Sequence, residues 1–118
     1  MGRHRVVAVG AGNPGAWNNG QNGTGGLLVI KSNVFNNTGT ISSNGSKGGT
    51  AYSCGGNAGG SGAGSINIFY NSILNRGTII ATGGSGGDYN PYDCGYGGKG
   101  GDGCITIGNI STGTFVQE

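Results

Sequence analysis

Gly64–Gly87, GSINIFYNSILNRGTIIATGGSGG, falls without a gap on Gly26–Gly49, GLLVIKSNVFNNTGTISSNGSKGG, when it is moved back by 38 residues. Gly77, Thr78 and Ile79 land on Gly39, Thr40 and Ile41, and Asn75 lands on Asn37. The closing glycines Gly83, Gly86 and Gly87 land on Gly45, Gly48 and Gly49. A shorter third copy opens at Gly103 as GCITIGNISTGTF, with Gly113, Thr114 and Phe115 in the places of Gly77, Thr78 and Ile79. Self-similarity at a fixed period marks an architecture in which each unit buries one face against the next. The sequence therefore reads as one glycine-rich domain, 1–118, with a partial copy over 5–26, copies over 27–64 and 65–103, and a short terminal copy over 104–118.

Within each copy two textures alternate. Arg5–Val9 is a first strand candidate that resembles Thr78–Thr82, so the chain begins partway through a copy. Leu27–Ile30 is an apolar run, Lys31–Asn33 a polar break, Val34 and Phe35 its continuation, Asn36–Gly39 a turn and Thr40–Ser43 another strand. The order recurs as Ile66–Tyr70, a break at Asn71 and Ser72, Ile73 and Leu74, a turn at Asn75–Gly77 and a strand at Thr78–Ala81. It recurs again as Cys104–Ile107, Ile110, a turn at Ser111–Gly113 and Thr114–Val116. Short β-branched runs bounded by Gly, Asn and Ser are strands, and no helical apolar face survives the glycines.

Between the strands, glycines recur at a spacing of three: Gly20, Gly23 and Gly26; Gly56, Gly59 and Gly62; Gly95, Gly98 and Gly101. The pairs Gly12/Gly15, Gly45/Gly48 and Gly83/Gly86 share it. A three-residue period is that of a polyproline-II-like backbone, which packs against neighbours where glycine leaves room. The competing reading is a set of flexible glycine linkers. Two stacks fit the packed reading: an irregular parallel β-solenoid with long loops, or strands capping a bundle of polyglycine-II segments. The expected fold is thus all-β, an irregular glycine-rich stack of short parallel strands and polyglycine-II- or polyproline-II-like segments, without helices.

Composition bounds the chemistry. Of 118 residues, 31 are glycine and two are proline, which excludes collagen, and 33% are hydrophobic, which leaves little for a thick core. Six Lys and Arg against four Asp and Glu give a net charge of +2, too weak and scattered to announce a nucleic-acid face. No apolar stretch approaches a membrane span, so no membrane insertion is expected. One histidine, four acids and no triad or paired-carboxylate spacing argue against an enzyme. No cofactor is expected, because Gly95–Gly100 lacks a Ser or Thr after its lysine and has no helix behind it. No metal is expected either: the cysteines form no close CxxC-type pairs, and Asp88, Asp93 and Asp102 lack the spacing of calcium β-rolls.

Aligning the glycine segments sets YSCG at Tyr52–Gly55 over YDCG at Tyr92–Gly95. Cys54 and Cys94 then occupy equivalent places and are candidates for a disulfide between copies; Cys94–Cys104 is a weaker alternative, and buried free thiols are the plain one. Cys104 itself aligns with Ser65 at a strand opening. Tyr89, Tyr92 and Tyr96, with Trp17 and Tyr52, are the candidate ligand contacts, since rigid amphipathic rings give large contact area at low entropic cost. The same rings would equally serve to cover a small glycine core.

The run of an apolar strand, an Asn-rich turn of the NNTGTI type at Asn36–Ile41 and a glycine segment closed by GGSGG extends over Val6–Val116. It resembles glycine-rich repeat regions of Gram-positive bacterial surface proteins and phage tail-associated adhesins. It is also similar to the glycine-rich tip adhesins of contractile phages, in which polyglycine-II strands hold up receptor-binding loops. The resemblance implies an extracellular, cell-surface or virion location and a module that presents loops to a surface glycan or protein. The alternative is a structural building block of a self-assembling fibre, filament or coat. Ice binding ranks third, since it needs a flatter and more regular face. Self-association is expected through an open N-terminal edge at Arg5–Val9, with the short copy closing the other end.

Overall fold

The computed structural model describes residues 5–7, 24–50, 57–88 and 97–118. These residues are all-β, rich in strands and without a helix: β1 (Arg5–Val7), β2 (Leu27–Asn36), β3 (Thr40–Ser42), β4 (Ser65–Asn75), β5 (Thr78–Ile80), β6 (Cys104–Asn109) and β7 (Thr114–Gln117). The strands fall where β-branched and aromatic residues cluster, and the three longer ones, β2, β4 and β6, end at an asparagine.

Two sheets result, of order β1-β3-β5 and β2-β4-β6-β7. All pairings are parallel except β6 with β7. Leu27 lies beside Ser65, 38 positions on, and Ser65 beside Cys104, 39 positions on. Thr40 and Ile41 lie beside Thr78 and Ile79, as the sequence alignment expects. β1 joins the same sheet through Val6 beside Ile41.

Parallel register turns each inward residue into a row. Leu28, Ile66 and Ile105 form one row, and Ile30, Ile68 and Ile107 the next. Ile66 and Ile68 are fully buried, and with Phe35, Ile41, Ala81, Ile105 and Ile107 they make the core. Each isoleucine or phenylalanine among them contributes about 1.5–3 kcal/mol when fully buried. Phe35 closes the far end of the core by stacking on Tyr70, with ring centroids 6.2 Å apart.

The connections β3–β4 and β5–β6 each contain a glycine-rich leg running out from the core and another running back. Within the first pair of legs, Ala58, Ser61 and Gly64 donate their amides to the carbonyls of Gly49, Ser46 and Ser43. Within the second, Gly97, Gly100 and Gly103 donate to Gly87, Gly84 and Ala81. Between the two pairs, Gly60 and Ala63 donate to Gly98 and Gly101, and Gly84 and Gly87 donate to Ser61 and Ala58. Each set of donors recurs every third residue, not every second as in a pleated strand. Successive amides therefore point to different neighbours, and a cluster of legs bonds in several directions at once.

That cluster bears out the three-spaced glycines of the outward legs, where a Cβ at Gly45, Gly48, Gly83 or Gly86 would overlap a backbone carbonyl oxygen, and corrects the phase expected in the returning legs. A Cβ at Gly59 would touch only the carbonyl oxygen of Gly98, at an ordinary 3.5 Å, and one at Gly98 or Gly101 would meet nothing. The crowded positions of the returning legs lie in another phase, and Gly84 is crowded as well. A Cβ at Gly60 would overlap the carbonyl oxygen of Gly84, at Gly84 that of Ser46, and at Gly100 that of Ser61. Glycine is required there because a neighbouring backbone occupies the space of a side chain.

Two further expectations are corrected. The polar residues at Lys31–Asn33 and at Asn71 and Ser72 do not break the strands. β2 and β4 pass through them, since Asn71 Nδ2 donates to Asn33 Oδ1 at 3.0 Å and ties the pair where apolar packing lapses. In the third copy, Gly113, Thr114 and Phe115 do not repeat the places of Gly77, Thr78 and Ile79. The chain turns after Asn109, with Gly113 at φ 68°, and β7 folds back antiparallel onto β6. Gly108 permits this: its missing side chain leaves room for the Phe115 ring, which meets Phe69 edge-on at 6.2 Å.

Candidate functional site

The outward and returning legs end at one place. Thr50 and Asn57 flank the segment 51–56, and Asp88 and Gly97 flank the segment 89–96. Asp88 donates its amide to Thr50 Oγ1 at 3.0 Å, across 38 positions of chain. Ala58 donates to Gly49 O at 2.9 Å, Gly87 to Ala58 O at 2.9 Å, and Gly97 to Gly87 O at 3.2 Å. Lys47 forms an ion pair with Asp88 beside them. All four chain ends thus belong to one hydrogen-bonded cluster. The sequence produces this because legs of equal length leave sheets that are themselves in register.

The two segments rooted there carry Tyr52 and Cys54, and Tyr89, Tyr92, Cys94 and Tyr96. These residues and Trp17 lie outside the described residues, and so does the Cys54–Cys94 pairing. What the structure gives is their common root. The residues that sequence reasoning missed are Lys47, Thr50 and Asp88, which build that root. The signal was present in the alignment, since Asp88 follows Thr50 by the same 38 positions as the strands do.

Electrostatics around the legs is sparse. Lys47 and Asp88 are both well exposed, so their pair is worth at most about 1 kcal/mol and acts as a tie between legs. Lys99 and Asp102 pair at 2.9 Å on the last leg. Asp102 Oδ1 also accepts the Gly83 amide at 2.9 Å, and this bond first, then Lys99, holds its carboxyl below the usual carboxylate range. Glu118 is likewise held low by its hydrogen bond and ion pair with Arg76. Among the described residues no three His, Cys, Asp or Glu side chains converge as metal ligands. Cys104 is a free, half-buried thiol beside Ser65, and Gln117 Nε2 donates to its Sγ at 2.9 Å.

A second surface is built from amides. Asn71 Nδ2 donates to Asn33 Oδ1, Asn75 Nδ2 to Asn36 Oδ1 at 2.8 Å, and Ser111 Oγ to Asn71 Oδ1 at 3.2 Å. Asn37 accepts the Gly39 amide and donates to the Arg76 carbonyl, which fixes the turn where Gly77 takes φ 64°. These bonds step from the β6–β7 turn to β4 to β2 and, among the described residues, go no further.

No family model, curated protein or solved structure matches this chain.

Proposed function

We propose that the chain is a non-enzymatic, glycine-rich module of a cell-surface or phage tail adhesin, which presents polar and tyrosine-bearing loops to a surface glycan or protein. The observation that carries this reading is the shared root of the segments 51–56 and 89–96, joined through Thr50, Asp88, Ala58, Gly87 and Gly97. The segments whose flanking residues meet there carry Tyr52 on one side and Tyr89, Tyr92 and Tyr96 on the other. Clustered aromatic side chains on a rigid support are the usual basis of a compact recognition surface.

In this reading the scaffold is a β-solenoid-like stack whose legs form a polyglycine-II-type bundle. The registers of 38 and 39 positions and the three-residue recurrence of amide donors support it. The module works outside the cell, on a cell surface or a virion, without a cofactor. The test is binding of the purified chain to bacterial cells and to an array of surface glycans. The triple substitution Tyr89→Ala, Tyr92→Ala and Tyr96→Ala should abolish binding while the melting temperature holds. Undiminished binding by the triple variant would refute the reading.

A second reading, a building block of a fibre, filament or coat, draws on a different observation. The sheet β2-β4-β6-β7 ends in the short antiparallel β7 on one side and in the ten-residue β2 on the other, whose outer edge pairs with no strand among the described residues. Long polymers in electron micrographs of the purified chain would favour it over the adhesin module.

A further inference from the structure

We infer that the free edge of β2 is a docking site for an extended strand of another polypeptide, which lies parallel to β2 and carries side-chain amides beside Asn33 and Asn36. This rests on the β2 edge alone and is independent of the loop-bearing end.

Three observations select the occupant. β2 bonds to β4 through one edge and to no described strand through the other, so alternate backbone groups along Leu27–Asn36 have no strand partner among the described residues. Leu27 and Val29, 72% and 58% exposed, add apolar surface at that edge, whereas Lys31 disfavours a basic residue opposite it. The amide ladder then specifies the chemistry. Asn71 and Asn75 spend their Nδ2 groups on Asn33 and Asn36, which accept through Oδ1. The Nδ2 groups of Asn33 and Asn36 have no hydrogen bond among the described residues, and they are the next two donors of the same ladder. A strand with amide oxygens at those two places and β-branched residues beside Leu28 and Ile30 continues every row of the sheet.

A second folded copy of this chain does not supply such a strand. Its β4 has both edges occupied, by β2 and β6, and its other edge strands, β1, β5 and β7, are three or four residues long and carry no asparagine. Its β2 is free only along the same edge, and a two-fold axis that keeps the apolar faces together would set two such edges antiparallel. The occupant is therefore an unfolded or extended segment of a different polypeptide with an apolar, uncharged, asparagine-bearing pattern.

The test uses the full folded chain, isotope-labelled, and a blocked peptide of the β4 sequence GSINIFYNSILN as the probe. The expected result is saturable binding with slowed exchange at alternate amides of Leu27–Asn36. Binding should weaken at least tenfold when the peptide carries Asn71→Ala and Asn75→Ala, and again when the chain carries Asn33→Ala and Asn36→Ala, with the amide spectrum of that chain still showing the folded sheet. Absence of binding, equal binding of the asparagine-free peptide, or protection at another strand would overturn the inference. So would protection of β2 that grows with chain concentration in the absence of peptide, which would give the edge to a second copy.

Discussion

Gly100 donates its amide to the carbonyl of Gly84 at 2.8 Å, and neither residue has room for a methyl group. The Cβ of one would overlap Ser61 O and that of the other Ser46 O, both of them backbone atoms that cannot swing away. Four legs thus meet at a separation that only glycine allows. Gly60→Ala, Gly84→Ala and Gly100→Ala should each destabilise the chain by about 1–3 kcal/mol through overpacking. Gly98→Ala and Gly101→Ala, at open positions, should be neutral or stabilising by about 0.4–1 kcal/mol, because alanine narrows the unfolded ensemble. Urea unfolding of the five variants separates the two groups, and equal midpoints would refute the packing described.

The isoleucine rows make a second contrast. Ile66→Ala and Ile68→Ala remove fully buried side chains from the middle of the rows and should cost about 2–5 kcal/mol each. Leu74→Ala, on the exposed flank of the same strand, should stay within about 0.5 kcal/mol of the parent. Equilibrium unfolding monitored by far-ultraviolet circular dichroism measures both.

Phe115 and Phe69 should be coupled. Their edge-on contact over Gly108 predicts an interaction of about 0.5–1.5 kcal/mol in a double-mutant cycle built from Phe69→Ala and Phe115→Ala. Gly108→Ala should displace the Phe115 ring, and near-ultraviolet circular dichroism would show the lost packing. Additive single substitutions would indicate that β7 is held by its backbone bonds alone.

Asp102 and Glu118 set a pH dependence. Their folded-state pKa values lie below the unfolded ones, Asp102 through the Gly83 amide and then Lys99, Glu118 through Arg76. Depressed carboxyl groups bind fewer protons when folded, so their stabilisation is complete above the unfolded carboxylate values near 3.8 and 4.5. It is lost as pH falls through the folded values. The Gly83 amide resonance should titrate with Asp102, at a midpoint below that of an unperturbed aspartate, and Asp102→Asn should remove the titration. A Gly83 shift that follows pH normally would mean that the bond is not formed.

How far the sequence foretold this structure depends on which residues are asked. Thr40 beside Thr78 and Ser65 beside Cys104 were legible, because apolar alternation and a glycine turn fix register to the residue. The return of β7 was not. Gly113-Thr114-Phe115 has the letters of Gly77-Thr78-Ile79, and only the shorter run from Asn109 to Gly113 turns the chain back instead of onward. The phase of the glycines was legible in the outward legs, at Gly45, Gly48, Gly83 and Gly86, but hidden in the returning ones: Gly59 and Gly60, or Gly100 and Gly101, are adjacent identical letters, and only the neighbouring leg decides which one is crowded. The root at Lys47, Thr50 and Asp88 was hidden for a related reason, since it joins polar residues that carry no motif of their own.

The central claim is that the glycine-rich legs are an ordered, hydrogen-bonded framework that brings both tyrosine-bearing segments to one end. Residue-resolved amide hydrogen exchange tests it most directly. The account predicts slow exchange at Ala58, Ser61, Gly64, Gly97, Gly100 and Gly103, every third residue of each leg, where the amides donate to neighbouring legs. It predicts fast exchange at Gly98, Lys99, Gly101 and Asp102, whose amides have no acceptor among the described residues. Uniformly fast exchange across 57–64 and 97–103, at the rate of unstructured glycine peptides, would make the legs flexible linkers and contradict the account.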